Sequence, residues 1–101
     1  MSGEQARYFP AAGLELEEAF EWYLERSLKA AEEFLLEIDR ALAVIAAAPR
    51  IWPQFEAGTR RFVLRQFPYS IIFREADSAI EVVAVAHHKR RPRYWYHRLK
   101  S

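Results

Sequence analysis

Tyr69-Ser70-Ile71-Ile72-Phe73-Arg74-Glu75-Ala76-Asp77-Ser78-Ala79-Ile80-Glu81-Val82-Val83-Ala84-Val85-Ala86-His87 is the stretch that decides the architecture. Two β-rich runs, Tyr69 to Glu75 and Ala79 to His87, flank Ala76-Asp77-Ser78, a connection short enough for a hairpin. A third run, Arg60 to Arg65, precedes them across Gln66-Phe67-Pro68, so this half of the chain reads as an antiparallel meander. Ile71-Ile72-Phe73 and Val82-Val83-Ala84-Val85 are apolar at consecutive positions, and consecutive strand residues face opposite sides. Both faces of the sheet therefore need cover, expected from helices on one side and from a partner on the other.

Upstream the hydrophobic period becomes helical. From Leu14, the residues Leu16, Ala19, Phe20, Tyr23 and Leu24 share one stripe, while Glu15, Glu17, Glu18, Glu21 and Glu25 lie largely outside it and read as a solvated acidic face. Ser27 offers an N-cap, and Ala31, Phe34, Leu35, Ile38, Ala41, Leu42 and Ile45 then repeat at helical spacing until Pro49 stops the run. A cap in mid-run predicts two helices meeting at Arg26-Ser27 as an antiparallel hairpin, with one continuous helix through Ser27 as the alternative. Arg7-Tyr8-Phe9, closed by Pro10, reads as a short edge strand, and Pro49 to Pro53 with Gly58 mark a connecting loop.

The chain has 101 residues, enough for a single α+β domain over residues 1–101 and nothing further. With 51% hydrophobic and 29% charged residues, three Gly and five Pro, neither a disordered segment nor a fibrous repeat fits. The absence of cysteine excludes a disulfide framework, a thiolate zinc site and a cysteine nucleophile together. No apolar run approaches the ~20 residues of a membrane span, and Met1-Ser2-Gly3-Glu4 lacks the basic start of an export signal, so a cytoplasmic protein without membrane contact is expected.

Net charge is +1, but its distribution is lopsided: residues 1–39 hold ten Asp/Glu against three Lys/Arg, and residues 40–101 hold four against twelve. From His87 onward there are six Lys/Arg and no acid, interleaved with Tyr94, Trp95 and Tyr96. That mixture binds phosphates by charge and rings by stacking, or else forms a positive surface strip with Tyr94 and Trp95 packed on the sheet. Alternation places Arg61 and Arg65 on one strand face and Phe62 and Leu64 on the other, so Arg61, Arg65 and Arg90 could share a basic concavity; charges protecting a sheet edge are the competing explanation.

Target contact is accordingly expected of Arg61, Arg65, Lys89, Arg90, Arg93, Tyr94, Trp95 and Arg98. Trp22 and Leu36 fall outside their helical stripes, and Trp52 and Phe55 lie in the loop, so these four are candidates for a partner groove or for packing into the domain's own core. His87, His88 and His97 do not suggest a metal site: neighbours on a strand diverge and no acid lies nearby. No glycine-rich phosphate loop or nucleophile elbow is present, and no cofactor is expected.

Phe67-Pro68-Tyr69 entering an apolar strand, then Val83-Ala84-Val85-Ala86-His87 followed by His88-Lys89-Arg90-Arg91-Pro92-Arg93-Tyr94-Trp95 and Arg98, resemble the RelE/ParE superfamily of bacterial toxins in its ParE-like, plasmid-stabilisation branch. The resemblance covers nearly the whole chain, including Glu21-Trp22-Tyr23 and the loop from Pro49 to Pro53. It implies a β-α-α-β-β-β toxin of a type II toxin–antitoxin pair, neutralised by a cognate antitoxin that wraps its exposed groove at Trp22, Leu36, Trp52 and Phe55. Contact with operator DNA would be left to the antitoxin.

Two targets follow from the resemblance. ParE-like members poison DNA gyrase without catalysis of their own, whereas RelE-like members cut messenger RNA on the ribosome. The RNA-cutting branch carries an arginine after the tyrosine where this chain has Ser70, which removes one expected stabiliser of the transition state. Were the chain a nuclease, the resemblance would assign Arg61, Arg90 and Tyr96 as its catalytic groups. Arg91 stands where many ParE-like chains have an acid or a histidine, making the local field more positive. The reading is a gyrase-binding toxin, with an mRNA endonuclease and a non-toxic relic that only binds antitoxin as alternatives.

Overall fold

The computed structural model describes residues 6–100. Strand β1 (Ala6–Tyr8) leads into helix α1 (Pro10–Leu24) and helix α2 (Leu28–Ala47), and strands β2 (Arg60–Val63), β3 (Tyr69–Ala76) and β4 (Ala79–His87) follow. α1 begins at Pro10 rather than Leu14, because proline at the first helical position already has the required φ and lacks only a donor that would go unpaired. Ser27 caps α2, its hydroxyl accepting from the Ala30 N–H at 3.1 Å, and the hairpin forms in place of a continuous helix.

Sheet order is β1-β4-β3-β2, with β1 parallel to β4 and the other pairs antiparallel. The expected meander is present, but the sheet as a whole is mixed rather than purely antiparallel, since the two-helix connection returns β1 alongside β4. The β3–β4 hairpin turns at Asp77 and Ser78, both at positive φ (53° and 64°), as a two-residue turn requires when its twist matches the strands.

The helices cover one face. Ala12 and Ala19 of α1 and Phe34, Ile38, Ala41 and Ile45 of α2 are buried against Ile71, Phe73, Ile80, Val82 and Val85. Phe67 of the Phe-Pro-Tyr element inserts between the helices, its ring 5.0 Å from Tyr23 and 5.3 Å from Phe34. Glu37 of α2 accepts from the backbone N–H groups of Arg65 and Gln66, which fixes the β2–β3 connection onto the helix.

The second face is where the structure departs from expectation. The chain's own C-terminal segment covers it, with Trp95 buried on Ile72, Val83 and Ala84 and flanked by Phe55, Tyr94, Tyr96 and Leu99. A bulge helps: Ile72 pairs with Ala84 and Phe73 with Val82, leaving Val83 as the extra residue on β4. Two neighbouring residues, Val83 and Ala84, thereby face the same segment. Pairing with β1 stops at Val82, so the same edge of β4 is open beyond it. Arg98 donates to the Val83 carbonyl at 2.9 Å and Glu15 accepts from the Val85 N–H at 3.0 Å, side chains completing the edge that Pro10 leaves short.

Candidate functional site

Three concave regions lie on the surface around this core. The first is a cavity of about 240 Å³ between the sheet and the C-terminal segment, bordered by Phe55, Glu56, Arg61, Ser70, His88, Arg90, Arg91 and Arg93 among others. Arg61 comes from β2, Ser70 from β3, and the remaining basic groups follow β4, so three elements converge there. The Arg61 guanidinium lies 4.6 Å over the Phe55 ring and that of Arg90 lies 3.8 Å over Tyr94. Aromatic faces attract cations and limit the arginine rotamers, so both groups are held in place.

Ser70 is buried, and its hydroxyl lies 3.0 Å from His88 Nε2. His87, one residue earlier, stacks edge-on to Tyr69 at 4.9 Å, and its Nδ1 accepts from the Lys89 N–H. Burial, then the charges of His88 and Lys89, hold His87 below the ordinary histidine range. The two histidines thus serve different neighbours, and among the described residues no group of three His, Asp or Glu is placed to hold a metal.

Trp95, Tyr94 and Arg98 are internal struts, and Arg93 is tied to a carboxylate at the surface. Trp95 is 3% exposed, so it is a core residue. Arg98 and Glu15 form an ion pair at 2.9 Å with both side chains only 10% exposed. The Tyr94 hydroxyl donates to the same carboxylate at 2.6 Å, and burial followed by that bond pushes the Tyr94 phenol upward, which keeps it a donor. Arg93 pairs with Glu56 at 2.9 Å, and the Tyr96 hydroxyl also donates to Glu56. Those two bonds lower the Glu56 carboxyl, and the bond to Glu56 raises Tyr96. Tyr96 is therefore engaged in holding the segment rather than free in the cavity.

Arg65 is a further correction: it does not border the cavity of Arg61 and Arg90. The strand ends at Val63 and the chain turns toward α2, so Arg65 shares with Arg61 only the hollow floored by Trp52 and Phe55 and reaches the groove beside α2 instead of Arg90. Lys89 lies with Arg90 in a second cleft, of about 490 Å³, where Glu15, Glu18, Trp22 and Tyr23 of α1 face Tyr69 and His87. Trp22 is half exposed there, with the Arg26 guanidinium 3.6 Å above its ring.

The third region follows the β2 edge. Leu36, Val44 and Phe62 border a groove of about 760 Å³, and Phe62 and Arg65 also border an adjoining hollow with Trp52, Phe55 and Val63. Leu36, Val44 and Val63 are each 45–51% exposed, an unusual concentration of apolar surface on so small a domain. Trp52 is mainly packed inward, 4.8 Å from Phe62, and Phe55 lies beneath Arg61, so these two form the floor of the hollow. Trp22 is not continuous with them.

Glu15, Glu56 and the Ser70–His88 pair were missed in the sequence. For Glu15 a signal existed: it stands three residues after Ala12 and four before Ala19, both buried, and hence on the inner stripe. Glu56 and Ser70 had no such periodic signature.

The family model described as ParE toxin of type II toxin-antitoxin system, parDE, matches residues 7–92, from β1 through Pro92. The chain belongs to the ParE toxin family. Among solved structures, a chain of the "Chromosomal ParDE TA system from P. aeruginosa" superposes with a TM-score of 0.71 at 16% identity, covering 82% of this chain and 94% of that one. At that identity the likeness shows the shared fold. No curated protein matches the chain in sequence. The match to the ParE model ends at Pro92, so the anchors Tyr94, Trp95, Tyr96 and Arg98 lie beyond it.

Proposed function

We propose that this ParE-family chain inhibits growth by binding DNA gyrase, and that a cognate antitoxin neutralises it by occupying the apolar groove along β2. The observation that carries the binding reading is the state of the groups a nuclease would need. Ser70 stands in the position after Tyr69 and is closed under His88, so no guanidinium emerges there, and the Tyr96 phenol is bonded to Glu56. Arg61 and Arg90 remain as exposed, stacked cations suited to recognition. The groove supports the antitoxin reading, since Leu36, Val44, Phe62 and Val63 supply anchor sites for a partner segment beside the Val63 end of β2, the Arg60–Arg61 end of that edge being bridged by Pro53 and Gln54.

Pulse incorporation of thymidine and methionine in bacteria, within minutes of tightly controlled induction, tests the target. An early fall in thymidine incorporation with methionine unaffected is the expected result. An early fall in methionine incorporation overturns it in favour of RNA cleavage on the ribosome, and no fall in either means a relic that only binds antitoxin.

A further inference from the structure

We infer that the cleft between α1 and the ends of β3 and β4 is a self-association surface, on which a second copy of the chain docks about a two-fold axis running along the cleft. One wall is α1, with Glu15, Glu18 and Trp22, and the other carries Tyr69, His87, Lys89 and Arg90. Glu15 is taken by Arg98, Tyr94 and the Val85 N–H, and Arg90 lies 3.8 Å from it while stacking on Tyr94. Glu18 and Lys89 are exposed and, among the described residues, make no ion pair. Each wall thus keeps one uncompensated charge, negative on α1 and positive after β4.

Trp22 adds the second, independent observation. It is 51% exposed and yet held in place: the Arg26 guanidinium lies 3.6 Å over its ring and donates to its carbonyl at 2.7 Å, and Tyr23 meets the ring edge-on at 5.1 Å. An exposed indole already restricted in this way loses little freedom on contact, and tryptophan is among the side chains most enriched as interface anchors. Trp22 borders neither the groove nor the hollow along β2. The order of the walls then selects the occupant. Half a turn about an axis along the cleft sets the α1 wall of one copy on the Tyr69–His87 wall of the other, so Glu18 meets Lys89 of the second copy twice and Trp22 packs on the second copy's Tyr69. An axis across the cleft would set acid against acid and base against base, so charge permits only the first arrangement. Such a contact closes as a dimer, with aromatic groups at its centre and charges at its rim, the usual anatomy of a specific interface.

The groove along β2 lies outside this cleft, so the inference does not rest on the gyrase or antitoxin reading. Sedimentation velocity of the full chain over a concentration series tests it. A reversible monomer–dimer equilibrium at micromolar chain concentration is expected, as for a contact at the small end of specific interfaces. Trp22→Ala should weaken dimerisation at least about tenfold, since each dimer loses two anchors. Glu18→Lys and Lys89→Glu should each abolish it, because each turns two attractions into two repulsions. The double variant Glu18→Lys with Lys89→Glu exchanges the walls and should dimerise within about threefold of the original chain. Glu32→Lys makes the same charge change outside the cleft and should alter dimerisation less than about twofold. Thermal midpoints of the free variants establish that each is folded. A chain that stays monomeric at near-millimolar concentration overturns the inference, as does a dimer that persists in Trp22→Ala and both single reversals, or a folded double variant that does not recover. Unchanged sedimentation together with weakened antitoxin binding in Trp22→Ala also overturns it, and gives the cleft to the antitoxin.

Discussion

The two faces of the sheet are covered by different physics. On the helical face Phe34, Ile38, Ile71 and Phe73 meet in non-directional apolar contact, supplied by an amphipathic hairpin that any ridge-and-groove fit of similar volume could replace. On the other face a short segment without long regular structure is held by one buried indole and by two carboxylates, Glu15 and Glu56, that collect its hydroxyls and guanidinium groups. Burial of area stabilises the first face, and directional anchoring fixes the second. The difference explains why the basic segment can carry exposed cations such as Arg90 and Arg91 and still lie in a defined place. Glu15, from the acidic half of the chain, is a buried counterion for the basic end, and Glu56 is a second, more exposed one.

The largest break is expected on the helical face. Phe34→Ala removes a fully buried ring and should cost about 4 kcal/mol by urea unfolding, with protection lost throughout the domain. Glu15→Gln strikes the other face and leaves Arg98 buried without its counter-charge, so a loss of about 3 kcal/mol is expected. Hydrogen exchange should separate the two: in Glu15→Gln, amides near Val85 and in residues 94–98 lose protection while α2 keeps it. If α2 opens equally, the faces are one cooperative unit and the contrast fails.

A double substitution sharpens the point. Replacing a buried ion pair with apolar residues is often harmless, but Glu15 and Arg98 also satisfy the Val85 N–H and the Val83 carbonyl. Glu15→Leu with Arg98→Met should therefore stay below wild type by about 2 kcal/mol, the cost of unpaired buried backbone groups. Full recovery would mean the pair stabilises only itself.

The rim between the faces gives the next effect. Leu36→Asp should weaken antitoxin binding by about 2 kcal/mol in calorimetry and leave the free protein's stability within about 0.5 kcal/mol, as for an exposed anchor. Trp22→Ala, in the separate cleft, discriminates a wrapping partner from one confined to β2: only the former loses affinity there.

The smallest effect is a pH dependence. His87 is held below its ordinary value, so the unfolded chain binds the proton more readily, and stability should fall as pH drops through about 6.5. His87→Gln should flatten the thermal midpoint between pH 7 and pH 5. An unchanged slope would mean that His87 does not set the acid sensitivity.

Much of the helical face was legible. Phe34, Ile38, Ala41 and Ile45 repeat at helical spacing and Ser27 marks the break, because periodicity and capping are local properties. The strands were legible too, as was the need to cover both of their faces. What covers the second face stayed undecided between a partner and Tyr94 with Trp95, because Trp95 and Arg98 have no period and their partners, Val83 and Glu15, are not sequence neighbours. For the same reason the sequence left Tyr94 and Trp95 open between target contact and packing on the sheet, Arg98 read as a surface binder when it is a strut, and Arg65 read as a neighbour of Arg90 although the chain turns away after Val63.

The sequence by itself determined the elements, the apolar demand of the sheet and the membership in a toxin family, since these rest on patterns within a few residues of one another or on the Phe-Pro-Tyr and basic C-terminal elements. Only the tertiary structure decided which acids are counterions and which are solvated, and which arginines they hold. Charge and hydrogen-bond partnerships depend on distance in space, and here the chain closes them between residues as far apart as Glu15 and Arg98.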